Sequence, residues 1–180
     1  NEIIVTSPAQ IETERGHYPP LGLLYLASYA QLYANCEIVV IDAPVLNLDY
    51  NSLPEAIAKH APDVVGLPSM TFTILDVIET VRCVRAAAPM ATIVIGGTHA
   101  TLFPVETLTV TGADIIVVGE GEETFSDLLR TLSRKETLTD CPGLVFRANG
   151  GIVKTGTRPG PDIEKLPFPA RKLCPVARYS

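Results

Sequence analysis

The chain has 180 residues, of which 47% are apolar and 19% are charged, and its formal net charge at pH 7 is −6. This length fits one domain with an appendage and is sufficient to bury a core without disulfide bonds. The acidic balance argues against a nucleic-acid partner, which requires a basic surface, and no apolar run reaches the roughly 18–20 residues of a membrane span.

Apolar runs alternate with helical patterns as far as Lys135. The predicted strands are Glu2–Thr6, Glu37–Asp42, Val64–Leu67, Thr92–Ile95 and Asp114–Val118. The predicted helices are Leu21–Tyr33, Ser52–His60, Thr73–Ala88, Pro104–Val110 and Glu122–Leu132. Strands buried on both faces read as continuous apolar runs. We therefore predict a flavodoxin-like (Rossmann-like) three-layer α/β sandwich with a five-stranded parallel sheet in the order 2-1-3-4-5. Ser52 and Glu55 have the spacing of a capping box.

The pattern changes after Lys135. Leu144–Arg147 and Ile152–Thr155 flank an Asn-Gly pair, which is a strong signal for a β-hairpin. Residues 158–180 are rich in proline and predict an irregular linker. We therefore divide the chain into a domain at 1–135 and a hairpin extension with a linker at 136–180. Because the chain starts without Met, we expect it to be a segment of a longer protein.

The four cysteines are far apart in the sequence and form no CxxC pair. Cys83 falls in a predicted helix, where we expect it to be a small core residue. No signal peptide precedes the first strand. These features predict a reducing, cytoplasmic compartment.

Function is expected in the loops after the third, fourth and fifth strands, because ligands bind beyond the carboxyl ends of parallel strands. Ser69 and Thr71 follow the third strand, and their hydroxyls can either bind a ligand or cap a helix. Gly96 and Gly97 follow the fourth strand, where glycine permits either a close ligand or a tight turn.

The loop after the fifth strand contains three glutamates. Glu120 stands between two glycines and is the candidate for a polar contact with a ligand. Glu122 and Glu123 are placed to interact with a helix dipole, so a structural role explains them.

The histidines give no metal signature. His99 follows the Gly-Gly pair and can bind a ligand, a metal or solvent, and His17 in the first loop has the same alternatives. Because no second ligand stands at a suitable spacing, metal binding is the minority interpretation. Signatures of P-loops, dinucleotide sites, α/β-hydrolases and zincins are absent from the sequence.

Five short segments share their order and spacing with one family. They are Pro19–Leu26, Asp63–Gly66, Gly96–Thr101, Gly119–Glu122 and Leu166–Arg171. The chain resembles the N-terminal cobalamin (vitamin B12)-binding domain of cobalamin-dependent radical S-adenosylmethionine (radical SAM) proteins. The resemblance implies a corrinoid over the carboxyl ends of the strands, with its nucleotide tail between the third and fourth loops. The cofactor-binding candidates that it implies are Leu21, Gly22, Ser69, Met70, Thr71, Gly96, Gly97, His99, Glu120 and Gly121.

Two motifs of related proteins are missing. No DxHxxG follows the first strand, so we expect that no histidine at that position, His17 included, ligates the cobalt. No CxxxCxxC is present, so a 4Fe-4S cluster and S-adenosylmethionine are expected only in an absent C-terminal radical SAM barrel that would act in cis. The chain alone would then bind cofactor without catalysis. The full-length protein would perform methyl transfer, or related radical chemistry, on an unactivated carbon.

Three alternatives remain. The same crevice could hold FMN, although the first loop is a poor phosphate cradle. A phosphoacceptor receiver domain is disfavoured because the third strand does not end in Asp. A non-enzymatic flavodoxin-like interaction module without a corrinoid would keep the glycines for turn geometry alone. Gly97→Leu separates the interpretations: a real pocket predicts loss of corrinoid binding with limited loss of stability, whereas a merely structural Gly-Gly turn predicts loss of folding.

Overall fold

A computed structural model describes residues 1–8 and 18–179 of the chain. Within them, seven strands form one sheet in the order β2-β1-β3-β4-β5-β6-β7. The strands are β1 (Glu2–Thr6), β2 (Ile38–Asp42), β3 (Val64–Pro68), β4 (Thr92–Gly96), β5 (Ile115–Val117), β6 (Leu144–Ala148) and β7 (Gly151–Lys154). The first five strands are parallel. The predicted order 2-1-3-4-5 is therefore confirmed.

Helices cover both faces of the sheet. They are α1 (Leu21–Tyr33), α2 (Leu53–Ala58), α3 (Ile74–Ala87), α4 (Thr98–Leu102), α5 (Pro104–Thr111) and α6 (Gly121–Arg134). Alternate residues of each strand point to opposite faces, so Ile3 and Val5 pack with α2, α3 and α5, whereas Ile4 packs with α1 and α6. We call the side of the sheet that α1 and α6 cover the α1/α6 face. The three-layer sandwich is confirmed. None of the helices among the described residues is long and apolar enough to cross a membrane.

The start of α2 differs from the prediction. The Ser52 side chain makes no capping bond to the helix. It donates instead to the Asp49 carboxylate at 2.6 Å, and the backbone amides of Asn51 and Ser52 also donate to that carboxylate. These hydrogen bonds, with the Ser52 hydroxyl first, lower the pKa of Asp49 to about 2. The capping box with Glu55 is therefore wrong, because Asp49 already binds the Ser52 hydroxyl.

The segment between β4 and β5 holds two helices where one was predicted. Helix α4 begins at Thr98, directly after the Gly-Gly pair, and α5 begins at Pro104 as expected. Proline lacks an N–H and is favoured in the first turn of a helix, so it separates the two. Five-residue helices such as α4 are too short to show a clear apolar period, which explains why the sequence did not predict it.

The predicted hairpin is confirmed, and it extends the main sheet. Strand β6 pairs antiparallel with β5 and with β7. Asn149 and Gly150 have φ values of 51° and 76°, which is the backbone that a tight hairpin turn requires. The boundary at residue 135 stays a prediction.

The C-terminal segment is irregular, as predicted, but it is packed against the domain. Ala170 and Cys174 are each 8% exposed and belong to the core beneath α1 and α6. The Ala170 amide donates to the Leu24 carbonyl at 3.0 Å. Arg158 forms ion pairs with Glu123 and Asp127 of α6. The segment is therefore fastened to the helical layer at several points.

Tyr179 provides the last of these attachments. Its hydroxyl donates to Asp42 Oδ2 at 2.7 Å, and Asp42, at the end of β2, is 6% exposed. We expect Tyr179→Phe to lower the free energy of unfolding by about 1–2 kcal/mol, because a buried carboxylate oxygen loses its donor. Chemical denaturation measures the change. Tyr33→Phe, at a residue that is 44% exposed, is the control and should have little effect. Equal stability of both variants would contradict the attachment.

Candidate functional site

A cavity of about 390 Å³ lies on the α1/α6 face, toward the carboxyl ends of the parallel strands. Its floor consists of residues from four neighbouring strands that point to this face: Ile4, Gly66, Val94, Gly96 and Val117. Its walls are the first turns of α1 and α6. Small-molecule sites commonly have volumes of roughly 300–1,000 Å³, so the cavity is large enough for part of a sizeable ligand.

Two glycines keep the floor flat. A Cβ at Gly66 would lie 3.7 Å from Ile4 Cγ1 and from Phe125 Cζ. A Cβ at Gly96 would lie 3.8 Å from Val117 Cβ. These are ordinary van der Waals distances. Packing of the protein alone therefore does not require glycine at either position, and the missing side chains leave room above the sheet.

Gly97 has a different role. Its φ is +96°, and a Cβ there would lie 2.7 Å from the Ser69 carbonyl oxygen and 3.0 Å from the Ser69 nitrogen. The first distance is shorter than Cβ atoms show in real structures, so Gly97 is required by the close approach of two backbone segments. Of the two outcomes expected for Gly97→Leu, this geometry favours the loss of folding.

Ser69 directly follows β3 and is hydrogen-bonded to the first turn of α4. Its hydroxyl donates to the Gly96 carbonyl at 2.8 Å and accepts from the Ala100 amide at 3.1 Å. Its carbonyl accepts from the His99 amide at 3.1 Å. The side chain is 1% exposed. Ser69 thus fixes the loop that borders the cavity, and the helix that it caps is α4.

Thr71 and His99 form a pair outside the cavity lining. His99 is 8% exposed, its Nδ1 is 3.2 Å from Thr71 Oγ1, and its ring centroid is 5.3 Å from that of Phe103. Contacts within the protein therefore account for both side chains. Among the described residues, no three His, Cys, Asp or Glu side chains are grouped to hold a metal ion. His17 lies outside the described residues.

The remaining candidates surround the cavity. Leu21 and Gly22 come from α1, and Glu120 and Gly121 come from the start of α6. A Cβ at Gly121 would lie 3.0 Å from Leu26 Cδ1, so this glycine lets α1 and α6 approach each other. The predicted residues that line the cavity are Leu21, Gly22, Ser69, Met70, Gly96, Gly97, Glu120 and Gly121.

The sequence did not predict several lining residues. They are Ile4, Thr6, Gly66, Val94, Val117, Leu23, Leu26, Glu122 and Phe125, among others. The available signal was Gly66, which interrupts an apolar strand, since glycine within a strand often marks a close approach of a ligand. The strand residues could be assigned only with the strand register, and the helix residues only with the packing of α1 and α6.

The chemical character of the cavity is mainly apolar. Its ionisable lining side chains are the carboxylates Glu120 and Glu122, and no Lys, Arg or His is among the described residues that line it. An aromatic or aliphatic group of low charge therefore suits the cavity better than a phosphate dianion. This argues against FMN.

Comparisons with known proteins show which family the chain matches. Residues 11–129 match the B12 binding domain family. The chain is 31% identical over 163 residues to an uncharacterized methyltransferase, PH0819, of Pyrococcus horikoshii, covering 89% of the chain and 35% of that protein. It is 28% identical over 155 residues to the anaerobic magnesium-protoporphyrin IX monomethyl ester cyclase of Rubrivivax gelatinosus, covering 84% of the chain and 28% of that protein. The chain thus spans about a third of the length of these relatives.

Two solved structures have a similar fold. One is the radical S-adenosylmethionine methyltransferase TsrM of Kitasatospora setae with cobalamin and a 4Fe-4S cluster bound, with a TM-score of 0.72 and 20% identity over 86% of the chain and 30% of TsrM. The other is the cobalamin-dependent enzyme OxsB with aqua-cobalamin and S-adenosylmethionine bound, with a TM-score of 0.76 and 20% identity over 94% of the chain and 24% of OxsB. At this identity the similarity concerns the fold.

Proposed function

The chain belongs to the B12 binding domain family, and from this premise we propose that the cavity on the α1/α6 face receives part of a corrinoid. The predicted resemblance to the cobalamin-binding domains of radical SAM proteins is confirmed, and the cofactor of this domain is cobalamin. The use of this cavity, and the role of each lining residue, are our proposal.

The observation that carries the proposal is the floor formed by Gly66 and Gly96. Both positions accept a Cβ at ordinary distances, yet both lack one beneath an apolar cavity. A flat aromatic base, such as the one at the end of the cobalamin nucleotide tail, can lie against such a floor, with Leu26 and Phe125 beside it. In this arrangement Val94 and Val117 exclude water from the base, and burial of apolar area supplies the binding free energy.

The other candidates hold the loops that surround the ligand. The Ser69 hydroxyl holds the residue after β3 to the end of β4 and to α4 through its two hydrogen bonds, and Gly97 lets the two backbone segments approach closely. The chain's contribution is therefore to bind and orient the cofactor. When bound, the corrinoid supplies cobalt chemistry that can carry a methyl group or assist a radical reaction.

The activity of a longer protein is a further part of the proposal. The relatives include proteins named as methyltransferases, and they are about three times as long as the matched region. We propose that the domain works in cis with a radical SAM barrel that holds a 4Fe-4S cluster and S-adenosylmethionine, and that this pair performs methyl transfer or related radical chemistry. Four free cysteines support a reducing, cytoplasmic setting.

Cofactor retention tests the proposal directly. The purified 180-residue chain is mixed with hydroxocobalamin, desalted, and examined by visible absorption, with FMN as a parallel sample. We expect a retained corrinoid with a shifted spectrum and no retained FMN. A chain that retains no corrinoid, or retains FMN instead, would overturn the proposal and favour an interaction module or a flavin domain.

A further inference from the structure

Glu122 is the least explained polar residue of the cavity. It is the second residue of α6 and is one of the lining residues. Its Oε2 atom is shielded from solvent and has no hydrogen-bond partner among residues 1–8 and 18–179. Burial raises the pKa of this carboxyl most, a hydrogen bond from the Glu122 backbone lowers it, and the nearby carboxylates of Glu120 and Glu123 raise it.

The neighbouring glutamates, Glu120 and Glu123, have no such shielded and unpaired oxygen. Glu123 forms an ion pair with Arg158 at 3.1 Å, and Glu120 is exposed at the rim. The positive end of the α6 dipole would favour an exposed carboxylate at position 122 as well. The dipole explains a negative charge at this point but not an Oε2 atom that is shielded from solvent beside the cavity. An acceptor oxygen that is shielded and has no donor is unfavourable, and a donor from a ligand in the cavity would satisfy it.

We propose that Glu122 is a specificity-determining residue of the cavity, whose carboxylate accepts a hydrogen bond from an N–H or O–H group of the corrinoid. This rests on the proposed function. A corrinoid carries neutral primary amides on the ring edge and a hydroxyl on the ribose of its nucleotide tail, and both are donors of this kind. The last torsion of a glutamate side chain is broad, so the carboxylate can turn toward a donor that enters the cavity.

Replacement of Glu122 should weaken corrinoid binding without lowering the stability of the ligand-free chain, whereas loss of a purely structural residue would lower stability. Glu122→Met keeps the length of the side chain and removes both oxygens. We expect its affinity for hydroxocobalamin to fall about tenfold or more, because hydrogen bonds to charged groups are among the stronger ones. We expect the Tm of the ligand-free chain to stay the same or to rise by about 2–4 °C, because a shielded acceptor oxygen without a donor has been removed.

The measurements are equilibrium titration with hydroxocobalamin and thermal denaturation of the ligand-free chain. Glu122→Gln keeps one acceptor oxygen and should lose less affinity than Glu122→Met. Glu106→Met is the matched control, because Glu106 is an exposed glutamate in the first turn of α5, and it should leave affinity and Tm unchanged.

Dicyanocobinamide, which has the ring amides but no ribose or base, identifies the donor. An equal relative loss with both corrinoids assigns it to the ring amides, and a loss with hydroxocobalamin alone assigns it to the ribose.

Two results would overturn the inference. The first is a Glu122→Met chain that binds hydroxocobalamin as tightly as the unchanged chain does, which would leave the proposed function intact. The second is a clear fall in the Tm of ligand-free Glu122→Met, which would show that the carboxylate already has a stabilising partner. If the unchanged chain binds no corrinoid, the proposed function fails as well, so the two failures are distinguishable.

Discussion

Gly96→Leu is expected to fold with wild-type stability and to bind hydroxocobalamin about 10- to 100-fold more weakly. A Cβ at Gly96 meets Val117 Cβ at 3.8 Å, which is an ordinary contact, and the rest of the side chain extends from the floor into the cavity. Added methylenes in a filled site cost about 1–3 kcal/mol, which corresponds to the stated loss of affinity. In the ligand-free chain the same atoms occupy empty space, and replacement of glycine reduces the entropy of the unfolded state.

Titration with the corrinoid and chemical denaturation measure the two quantities. Gly160→Leu is the control, because a Cβ at Gly160 meets nothing within 4 Å and this residue lies in the C-terminal segment away from the cavity. It should change neither affinity nor stability by much. If Gly96→Leu binds the corrinoid normally while remaining folded, the cofactor does not lie against this floor.

The fold was largely predictable because its strands are buried on both faces. Val64–Leu67 and Thr92–Ile95 read as continuous apolar runs between turn residues, which is typical of a parallel sheet covered by helices. The hairpin followed from Asn149 and Gly150, because their chemistry favours positive φ. Each of these signals is local, so a single sequence is sufficient to detect it.

The cavity was less predictable because it depends on strand register and on helix approach. Gly66 lies in the middle of β3 and shares the floor with Gly96 only because alternate residues face the same side. Glu122 was explained by the helix dipole from the sequence, and its buried, unpaired oxygen is a property of the packed structure. The attachment of Tyr179 to Asp42 spans 137 positions, and no local pattern encodes such a contact.

The adjacent glycines at the end of β4 show most clearly what the sequence predicts and what only the structure reveals. From the sequence, Gly96 and Gly97 had the same two interpretations, a tight turn or a close ligand. In the structure, Gly96 lies at the end of a strand with space above it, and Gly97 has φ +96° and ψ −176° against the Ser69 backbone. One glycine is therefore assigned to the cavity and the other to the folded backbone, and the two substitutions should give opposite results.

Gly97→Ala is expected to lower the free energy of unfolding by about 3 kcal/mol or more. The φ and ψ values fall in a region that is essentially restricted to glycine, which by itself costs on the order of 1–3 kcal/mol. The new Cβ would also lie 2.7 Å from the Ser69 carbonyl oxygen. Ser69 and the turn between β4 and α4 must then move apart, which disturbs the hydrogen bonds of the Ser69 hydroxyl. Gly112→Ala separates the two causes, because Gly112 has φ +71° with nothing within 4 Å of a Cβ, so it should lose only about 1 kcal/mol. Denaturation of both variants measures the difference, and a Gly97→Ala chain as stable as Gly112→Ala would show that the contact with Ser69 does not constrain the fold.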